Sequence, residues 1–355
     1  MTQTLDTYRL LGRSGLRVSP LALGTMTFGT DWGWGSDAQE ARHIFDTYVD
    51  RGGNFIDTAN QYTGGTSEQF VGEFAEGKRD QLVLATKYTL PLRPTDPNAG
   101  GNHRKSMVRS VESSLKRLKT DYIDLLYLHA WDFLTPVEEI MRAMDDLVRA
   151  GKLLYVGISD APAWQVARMQ TIADLRGWSP LIALQVEYSL IERTVERDLI
   201  PMAREMGLGV IPWSPLASGV LSGKYSRKDL EIGEGNASAV GTRKDIAASN
   251  GALTERGLAI ADVVKAVAKE IGKTPAQVAL AWTLLDKTVT APIMGARTPQ
   301  QLEDNLGALT VDLTDDQKQR LDEASAIDLG FPHAFLQRPL TRGVMFGDLK
   351  IEGRA

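Results

Sequence analysis

A chain of 355 residues without a single cysteine cannot rest on disulfides, thiolate catalysis or cysteine-bound metal. Its net charge of −5 argues against nucleic-acid binding, which usually needs a basic surface, and no apolar run reaches the ~18 residues of a membrane span. With 43% hydrophobic and 24% charged residues, the composition is that of an ordinary globular protein, within the length range of a single-core barrel.

The first residues, Met1-Thr-Gln-Thr-Leu-Asp-Thr7, carry neither a basic start nor an apolar h-region, so no export signal is expected and the expected location is cytoplasmic. Tyr8–Leu11 and Leu16–Ser19 flank Gly12-Arg-Ser-Gly15 and predict a β-hairpin, a candidate plug for one barrel end. A first strand, 21–26, runs into a loop with Phe28, Trp32 and Trp34. Ser36 is the expected cap of a helix to Arg51, where Ala41, Ile44, Phe45 and Tyr48 keep helical spacing. The cycle then repeats. Strand 54–57 precedes helix 67–74, and strand 82–87 precedes a Pro/Gly-rich loop and helix 105–118. Strand 123–129 precedes helix 136–150, strand 153–159 helix 163–175, and strand 181–187 helix 195–206.

The third of these helices opens on His103-Arg-Lys-Ser-Met-Val-Arg109, readable as a phosphate patch or as a solvated helix face. Strand 209–213 gives way to a Gly/Ser/Asn/Lys-rich stretch, Ser218–Asn250, too long for a simple connection and therefore read as functional or mobile. Helices 255–271 and 275–285 follow, the second with Thr274 as cap and Pro275 at its first position. Strand 288–294, helix 299–306 and a capping box at Thr314-Asp-Asp-Gln317, opening a helix to Ala326, complete the repeat. Beyond Ile327 the tail has aromatics but no clear period. Ile351-Glu-Gly-Arg354 reads as a protease-cleavage linker or as natural sequence.

Eight strands each followed by a helix predict parallel pairing through right-handed crossovers. The expectation is one α/β domain spanning 1–355: a (β/α)8 TIM barrel with an N-terminal hairpin and a long loop after its seventh strand. Its core covers about 8–326, with 327–355 as a C-terminal tail. An open doubly wound sheet also alternates, but no Gly-x-Gly-x-x-Gly follows a predicted strand, and Gly233-Glu-Gly235 lies in the long loop.

In such a barrel the strand ends at the carboxyl rim carry the chemistry. Asp57, Lys87 and His129 end three predicted strands, and Tyr62 lies just beyond one. Singly, each has a structural reading: a capping carboxylate, a solvated lysine, a core imidazole, a loop aromatic. Together they suit protonation of an oxygen that gains charge. A tyrosine of ordinary pKa about 10 is a reluctant donor, an ammonium favours its ionised form, Asp57 can hold that ammonium charged, and His129 can donate to a substrate oxygen. The histidines at 43, 103, 129 and 333 lack metal-ligand spacing, which disfavours a metallo-hydrolase on this fold; no metal is expected.

The chain resembles the aldo-keto reductase superfamily from about Leu10 to Ala324. The resemblance rests on Leu23-Gly-Thr-Met26, Asn54-Phe-Ile-Asp-Thr-Ala59 with Tyr62, and Ser113-Ser-Leu-Lys-Arg-Leu118 with Asp121-Tyr-Ile-Asp124. It continues through Leu128-His129, Gly151-Lys152, Gly157-Ile-Ser159, Gln185-Val-Glu-Tyr188, Trp213-Ser-Pro-Leu216 and Gly295-Ala-Arg-Thr-Pro-Gln-Gln-Leu302 with Asn305. It implies metal-free reduction of aldehydes and ketones with NADPH, with Tyr62 as acid, Lys87 and Asp57 as its tuners, and His129 orienting the carbonyl. It also implies that Gly24, Thr25 and Met26 lie near the nicotinamide ribose. Ser159, Asp160 and Gln185 would hold the carboxamide and Trp213 stack on the ring. Ser214, Leu216, Ser218, Gly219, Leu221 and Lys224 would line the pyrophosphate, through backbone N–H groups where they can, with the long loop folding over the cofactor. Gly295, Arg297, Gln301 and Asn305 would take the adenosine end. Arg297 is the implied partner of a 2′-phosphate, whose oxygens suit its planar fork.

Most members read Ser-Asn where this chain has Ser159-Asp160, and Asp cannot donate to a carboxamide oxygen. Gly157-Ile-Ser-Asp-Ala-Pro-Ala-Trp164 is similar to the aryl-alcohol dehydrogenase branch, which favours aromatic aldehydes. Trp32, Trp34, Trp131 and Phe133 could wall a planar substrate or simply pack the rim. The superfamily also holds cofactor-sensing regulatory subunits of potassium channels. No tetrad residue is replaced here, which favours an enzyme acting on a small carbonyl or alcohol. The expected assembly is a monomer or small homo-oligomer, with no nucleic-acid or membrane partner.

Overall fold

The computed structural model describes residues 3–230 and 243–351. An antiparallel hairpin, β1 (Arg9–Leu10) and β2 (Arg17–Val18), precedes eight strands that pair in parallel: β3 (Ala22–Gly24), β4 (Phe55–Asp57), β5 (Val83–Tyr88), β6 (Ile123–Leu128), β7 (Leu153–Ser159), β8 (Leu181–Glu187), β9 (Gly209–Trp213) and β10 (Ile293–Gly295). The sheet order is β10-β3-β4-β5-β6-β7-β8-β9. Its two ends meet through a parallel bridge between Val210 and Val289. The amide of Val210 donates to Thr288 O at 2.9 Å and that of Thr290 to Val210 O at 2.8 Å. The last predicted strand, 288–294, is therefore split in two: 288–290 closes onto β9 and 293–295 pairs with β3. Pro292 stands between, with no N–H to carry the ladder onward. The result is the expected (β/α)8 barrel.

Helices α1 (Ala38–Asp50), α2 (Thr66–Phe74), α3 (Arg104–Leu118), α4 (Val137–Arg149), α5 (Ala163–Arg176) and α6 (Leu199–Met206) alternate with the strands. After β9 come α7 (Arg243–Ser249), α8 (Glu255–Glu270) and α9 (Pro275–Thr283). After β10 come α10 (Pro299–Leu306), α11 (Asp315–Ser325), α12 (His333–Leu336) and α13 (Pro339–Phe346). Three expectations shift. The cap of α1 is Asp37, whose carboxylate accepts from the Gln39 and Glu40 amides at 2.9 Å, because Ser36 is buried and spends its hydroxyl on Arg297 O. The helix expected from Val195 is a 3-10 turn, Thr194–Glu196, followed by α6 from Leu199. The tail forms two short, largely exposed helices. The middle of the long loop, 231–242, and residues 352–355 of the linker-like end lie outside the described residues.

Two apolar clusters hold this arrangement. One packs the outward faces of the strands against the helices. The other fills the barrel interior with Ala22, Phe55, Val83, Ala85, Leu125, Tyr127, Ile182, Ala183 and Ile211, and the hairpin adds Leu11 and Val18. The hairpin thus plugs one end of the barrel. Side chains alternate between faces along a strand, so the interior residues fix the parity of each strand. Continuing it rimward turns Asp57, Lys87, His129, Ser159, Gln185 and Trp213 inward.

Interior packing leaves no slack at Gly157, the cross-strand partner of Tyr127. A methyl group there would sit 2.7 Å from Tyr127 Cε1 and 3.0 Å from Ala183 O. Gly157→Ala is expected to destabilise the barrel by about 1–3 kcal/mol through overpacking, read as a lower midpoint in urea unfolding.

Candidate active site

At the carboxyl rim, the Lys87 ammonium is buried inside the barrel, its side chain 0% exposed, and its three donors are all used. Nζ donates to Asp57 Oδ1 at 2.5 Å, to Thr58 O at 2.8 Å and to the Tyr62 hydroxyl at 3.2 Å. Gln185 Nε2 occupies the other Asp57 oxygen at 2.8 Å. Tyr62 reaches this group from a 3-10 turn, Tyr62–Gly65, pinned by the Thr63 hydroxyl donating to Phe28 O at 2.8 Å. The His129 ring meets the Tyr62 ring edge-on, centroids 6.0 Å apart. The four polar residues expected at the strand ends are brought together.

Their protonation follows from burial. Burial pulls the Lys87 pKa down, but Asp57 and Tyr62 together outweigh it and leave Lys87 above its ordinary value. Burial pushes the Tyr62 phenol up, and the pull of Lys87 downward only partly offsets it while Asp57 opposes. The expected net lowering of this phenol is thus not found: the ammonium's attraction is present, but desolvation of a phenolate is larger. Burial and then Lys87 push His129 down to about 3, so its imidazole is neutral across the physiological range. The site holds a protonated phenol and a neutral imidazole that face one cavity, with a fixed cation buried behind the phenol. It can give a proton to an oxygen that is gaining charge and then stabilise the phenolate left behind.

That cavity measures about 610 Å³. It is lined at one side by Gly24, Met26, Trp32, Asp57, Tyr62, His129, Ser159, Asp160, Gln185 and Trp213. From there it runs to Ser214, Leu216, Ser218, Gly219 and Lys224 after β9, and to Gly295, Arg297, Gln301 and Asn305 after β10. Thr25 and Leu221, also expected at a cofactor, are buried and not part of its lining; Thr25 instead ties Asp57 O to Ser67. Of the aromatic wall, Trp32 lines the cavity, its ring edge-on to Tyr62 at 6.4 Å, and Trp34 packs behind it at 5.6 Å. Trp131 is 8% exposed and packs in the outer core. Phe133 is 74% exposed, with φ +58°, in the Asp132–Thr135 turn, where Asp132 accepts from the Leu134 and Thr135 amides.

The residues present fit a dinucleotide phosphate. The cavity joins an aromatic face, Trp213, and the buried Ser159 hydroxyl to two cations, Lys224 and Arg297. The exposed Arg297 guanidinium makes no ion pair with a described carboxylate, and Arg297 N–H donates to Gln301 at 2.9 Å. After β9 the chain takes left-handed conformations at Ser214, Ala217, Ser218 and Gly219. A Cβ at Gly219 would lie 2.8 Å from Lys224 Nζ, so glycine leaves that ammonium its place. Three of the backbone donors expected here are engaged within the chain: Gly219 and Leu221 N–H donate to Leu216 O, and Ser218 N–H to Ser214 Oγ.

Asp160, in the place where Asn is usual, accepts from Trp213 Nε1 at 3.0 Å. Desolvation pushes its carboxyl pKa up, against Trp213, Ser159 and Lys87, which lower it. One oxygen of this carboxylate fixes the indole, and the residue also lines the cavity. Tyr127 and Leu90 are among the contributors that went unnoticed in the sequence. Tyr127 lies in the barrel interior, 0% exposed, where the Asp57 charge reaches it, and nothing distinguishes it within the run Leu125–Leu128. Leu90 lines the cavity three residues beyond Lys87, a loop position without periodicity. Among the described residues no group of three or more His, Asp or Glu is placed to hold a metal, and no described helix is long and apolar enough to cross a membrane.

Residues 20–326 match the model of the aldo/keto reductase family. The chain is 42% identical to a norsolorinic acid reductase of Emericella nidulans, over 91% of this chain and 82% of the relative. It is 37% identical to an NADP(+) aryl-alcohol dehydrogenase of Phanerodontia chrysosporium, over 90% and 86%. An uncharacterized oxidoreductase of Bacillus subtilis is 41% identical, over 86% and 92%.

The depressed His129 pKa links to stability. Between about pH 6.5 and 3 the unfolded chain binds a proton at this histidine that the folded chain refuses, so stability falls as pH falls through that window. The loss is at most about 1.4 kcal/mol per pH unit. In urea unfolding from pH 7 to 5, His129→Asn is expected to show a shallower decline than the parent chain.

Proposed function

Because the chain belongs to the aldo/keto reductase family, we propose that it reduces aldehydes and ketones, aromatic or otherwise apolar, to alcohols with NADPH and with Tyr62 as general acid. The observation that carries this reading is the Lys87 ammonium bonded at once to Asp57 and to the Tyr62 hydroxyl on the wall of the cavity. Bound there, the dinucleotide supplies a hydride to the carbonyl carbon. The chain's own residues manage the oxygen. Tyr62 and neutral His129 receive it as hydrogen-bond donors, and as charge develops Tyr62 passes its proton to it. Lys87, 3.2 Å from the phenol oxygen, stabilises the phenolate that remains. Asp57, held by Gln185, keeps the ammonium in place between turnovers.

On this reading Trp213, steadied by Asp160, offers its indole face to the nicotinamide, while Ser159 and the free oxygen of Gln185 meet the carboxamide. Ser214, Ser218 and Lys224 approach the pyrophosphate, and Gln301, Asn305 and Arg297 the adenosine end, with Arg297 taking the 2′-phosphate. Trp32 supplies an apolar face beside Tyr62, in keeping with relatives named for aryl alcohols and for norsolorinic acid.

Tyr62→Phe is expected to lower kcat for 4-nitrobenzaldehyde reduction roughly 10²–10⁴-fold with NADPH affinity nearly unchanged; undiminished turnover at 340 nm would remove Tyr62 as the acid. Arg297→Ala is expected to weaken NADPH binding at least about tenfold, the value of a charge-assisted hydrogen-bond pair, with NADH affinity little altered. Equal losses for both cofactors in fluorescence titrations would show that Arg297 does not read the 2′-phosphate.

A further inference from the structure

A second cavity, of about 290 Å³, lies apart from the catalytic one. Its walls are the loop after β5 and one face of α3, and it backs onto the segment that leads to Tyr62. Asn60, Arg93, Arg109, Ser110, Ser113 and Arg117 line it. Ser110, Ser113 and Arg117 recur at helical spacing and so share a face of α3, and Arg109 joins them from the basic cluster at the start of that helix. The remaining cations of the cluster do not contribute: Arg104 pairs with Asp146 at 2.7 Å, and Lys105 is exposed.

The charges here are unevenly matched. Arg117 is committed to the buried Glu68 at 2.6 Å. Arg93 and Arg109 share a single oxygen of Asp96, at 3.5 and 3.3 Å, both longer than a good N–H···O bond. Two guanidinium forks on one carboxylate leave one positive charge over. Neither the Ser110 nor the Ser113 hydroxyl has a hydrogen-bond partner among the described residues. Asn60 is 3% exposed and donates Nδ2 to Leu90 O at 3.1 Å, while its Oδ1 is buried with no partner. The wall therefore combines surplus guanidinium donors, two free hydroxyls and one acceptor lacking a donor.

We propose that this cavity binds a small hydroxylated phosphomonoester, a class that matches that set. A phosphate's oxygens accept bidentate bonds from arginine forks better than one shared carboxylate oxygen can. The serine hydroxyls add two donors. A hydroxyl next to the ester supplies the donor that Asn60 lacks. The volume suits a few-carbon ester and is too small for a dinucleotide, so the ligand is not the cofactor of the catalytic cavity.

The test is calorimetric titration of glycerol 3-phosphate and of inorganic phosphate into the full chain saturated with NADP+, so that the cofactor's own phosphate contacts are filled. One saturable site is expected, tighter for the ester. Arg109→Gln should weaken it about tenfold or more, as loss of a charged hydrogen-bond partner does, and Arg297→Ala should leave it unchanged. Arg93→Gln, on the exposed loop, gives the same reading if Arg109→Gln folds poorly. Equal affinity for the two ligands would assign the phosphate site to the free ion, on the same residues. No saturable binding up to about 10 mM, or binding that ignores both arginine variants and vanishes with Arg297→Ala, would overturn the proposal.

Discussion

An ammonium in the interior of a barrel is the constraint on which the site depends. Removing such a charge from water costs several kcal/mol even after relaxation, and Lys87 is fully buried. It is tolerated because each of its donors has a fixed acceptor: a carboxylate, a carbonyl and a phenol. Those acceptors come from β4, the turn beyond it, and the segment between. The position of Tyr62 is therefore set by the demand of Lys87 for a third partner as much as by its own turn. Asp57 in turn needs Gln185 from the far side of the barrel to occupy its second oxygen. One buried cation thus ties β4, β5 and β8 together across the barrel interior.

The architecture was legible because its signal repeats. Apolar runs of strand length alternate with helical stripes, and eight such units leave little alternative to closure. The bounds that moved did so for reasons no window of sequence displays. Ser36 loses the cap of α1 to Asp37 because its hydroxyl is drawn to Arg297 O, far along the chain. The last strand divides at Pro292 because the barrel closes with one set of amides on β9 and another on β3. Strand parity was less visible. Parallel strands covered on both faces are largely apolar, so Leu125 to Leu128 do not by themselves tell which residues turn inward. The polar residues at the rim supply the answer once folded, since Lys87 finds Asp57, Thr58 and Tyr62 inside the barrel.

The resemblance identified the rim residues but not what each one bonds to. Trp213 and Asp160 were expected to meet a ligand independently. They meet each other, and the carboxylate that replaces the usual amide here acts as an acceptor for the indole N–H. An aspartate suits that role because it has only acceptors to offer. The departure is thus matched to a neighbour within the chain, a relation between two loops that no single motif contains. The arginines of the second cavity make the same point, because their mismatch with Asp96 appears only when the loop after β5 is folded against α3.

On the proposed function, the same ammonium also bears on which group serves as the acid. A histidine beside a carbonyl would ordinarily compete for that role, since its unperturbed pKa is nearest neutrality. Here burial and the Lys87 charge hold His129 neutral, so it can donate a hydrogen bond but has no extra proton to give up. Tyr62 keeps its proton at rest because burial outweighs the attraction of Lys87. On the proposed function, that attraction favours transfer once a negative oxygen forms beside it, with the charge moving onto a phenolate that already has a cation at hydrogen-bond distance. A phenol with a strongly lowered pKa would instead sit ionised and useless as a donor. Burial and cation act in opposition on one hydroxyl, and the balance between them keeps the proton available until it is needed.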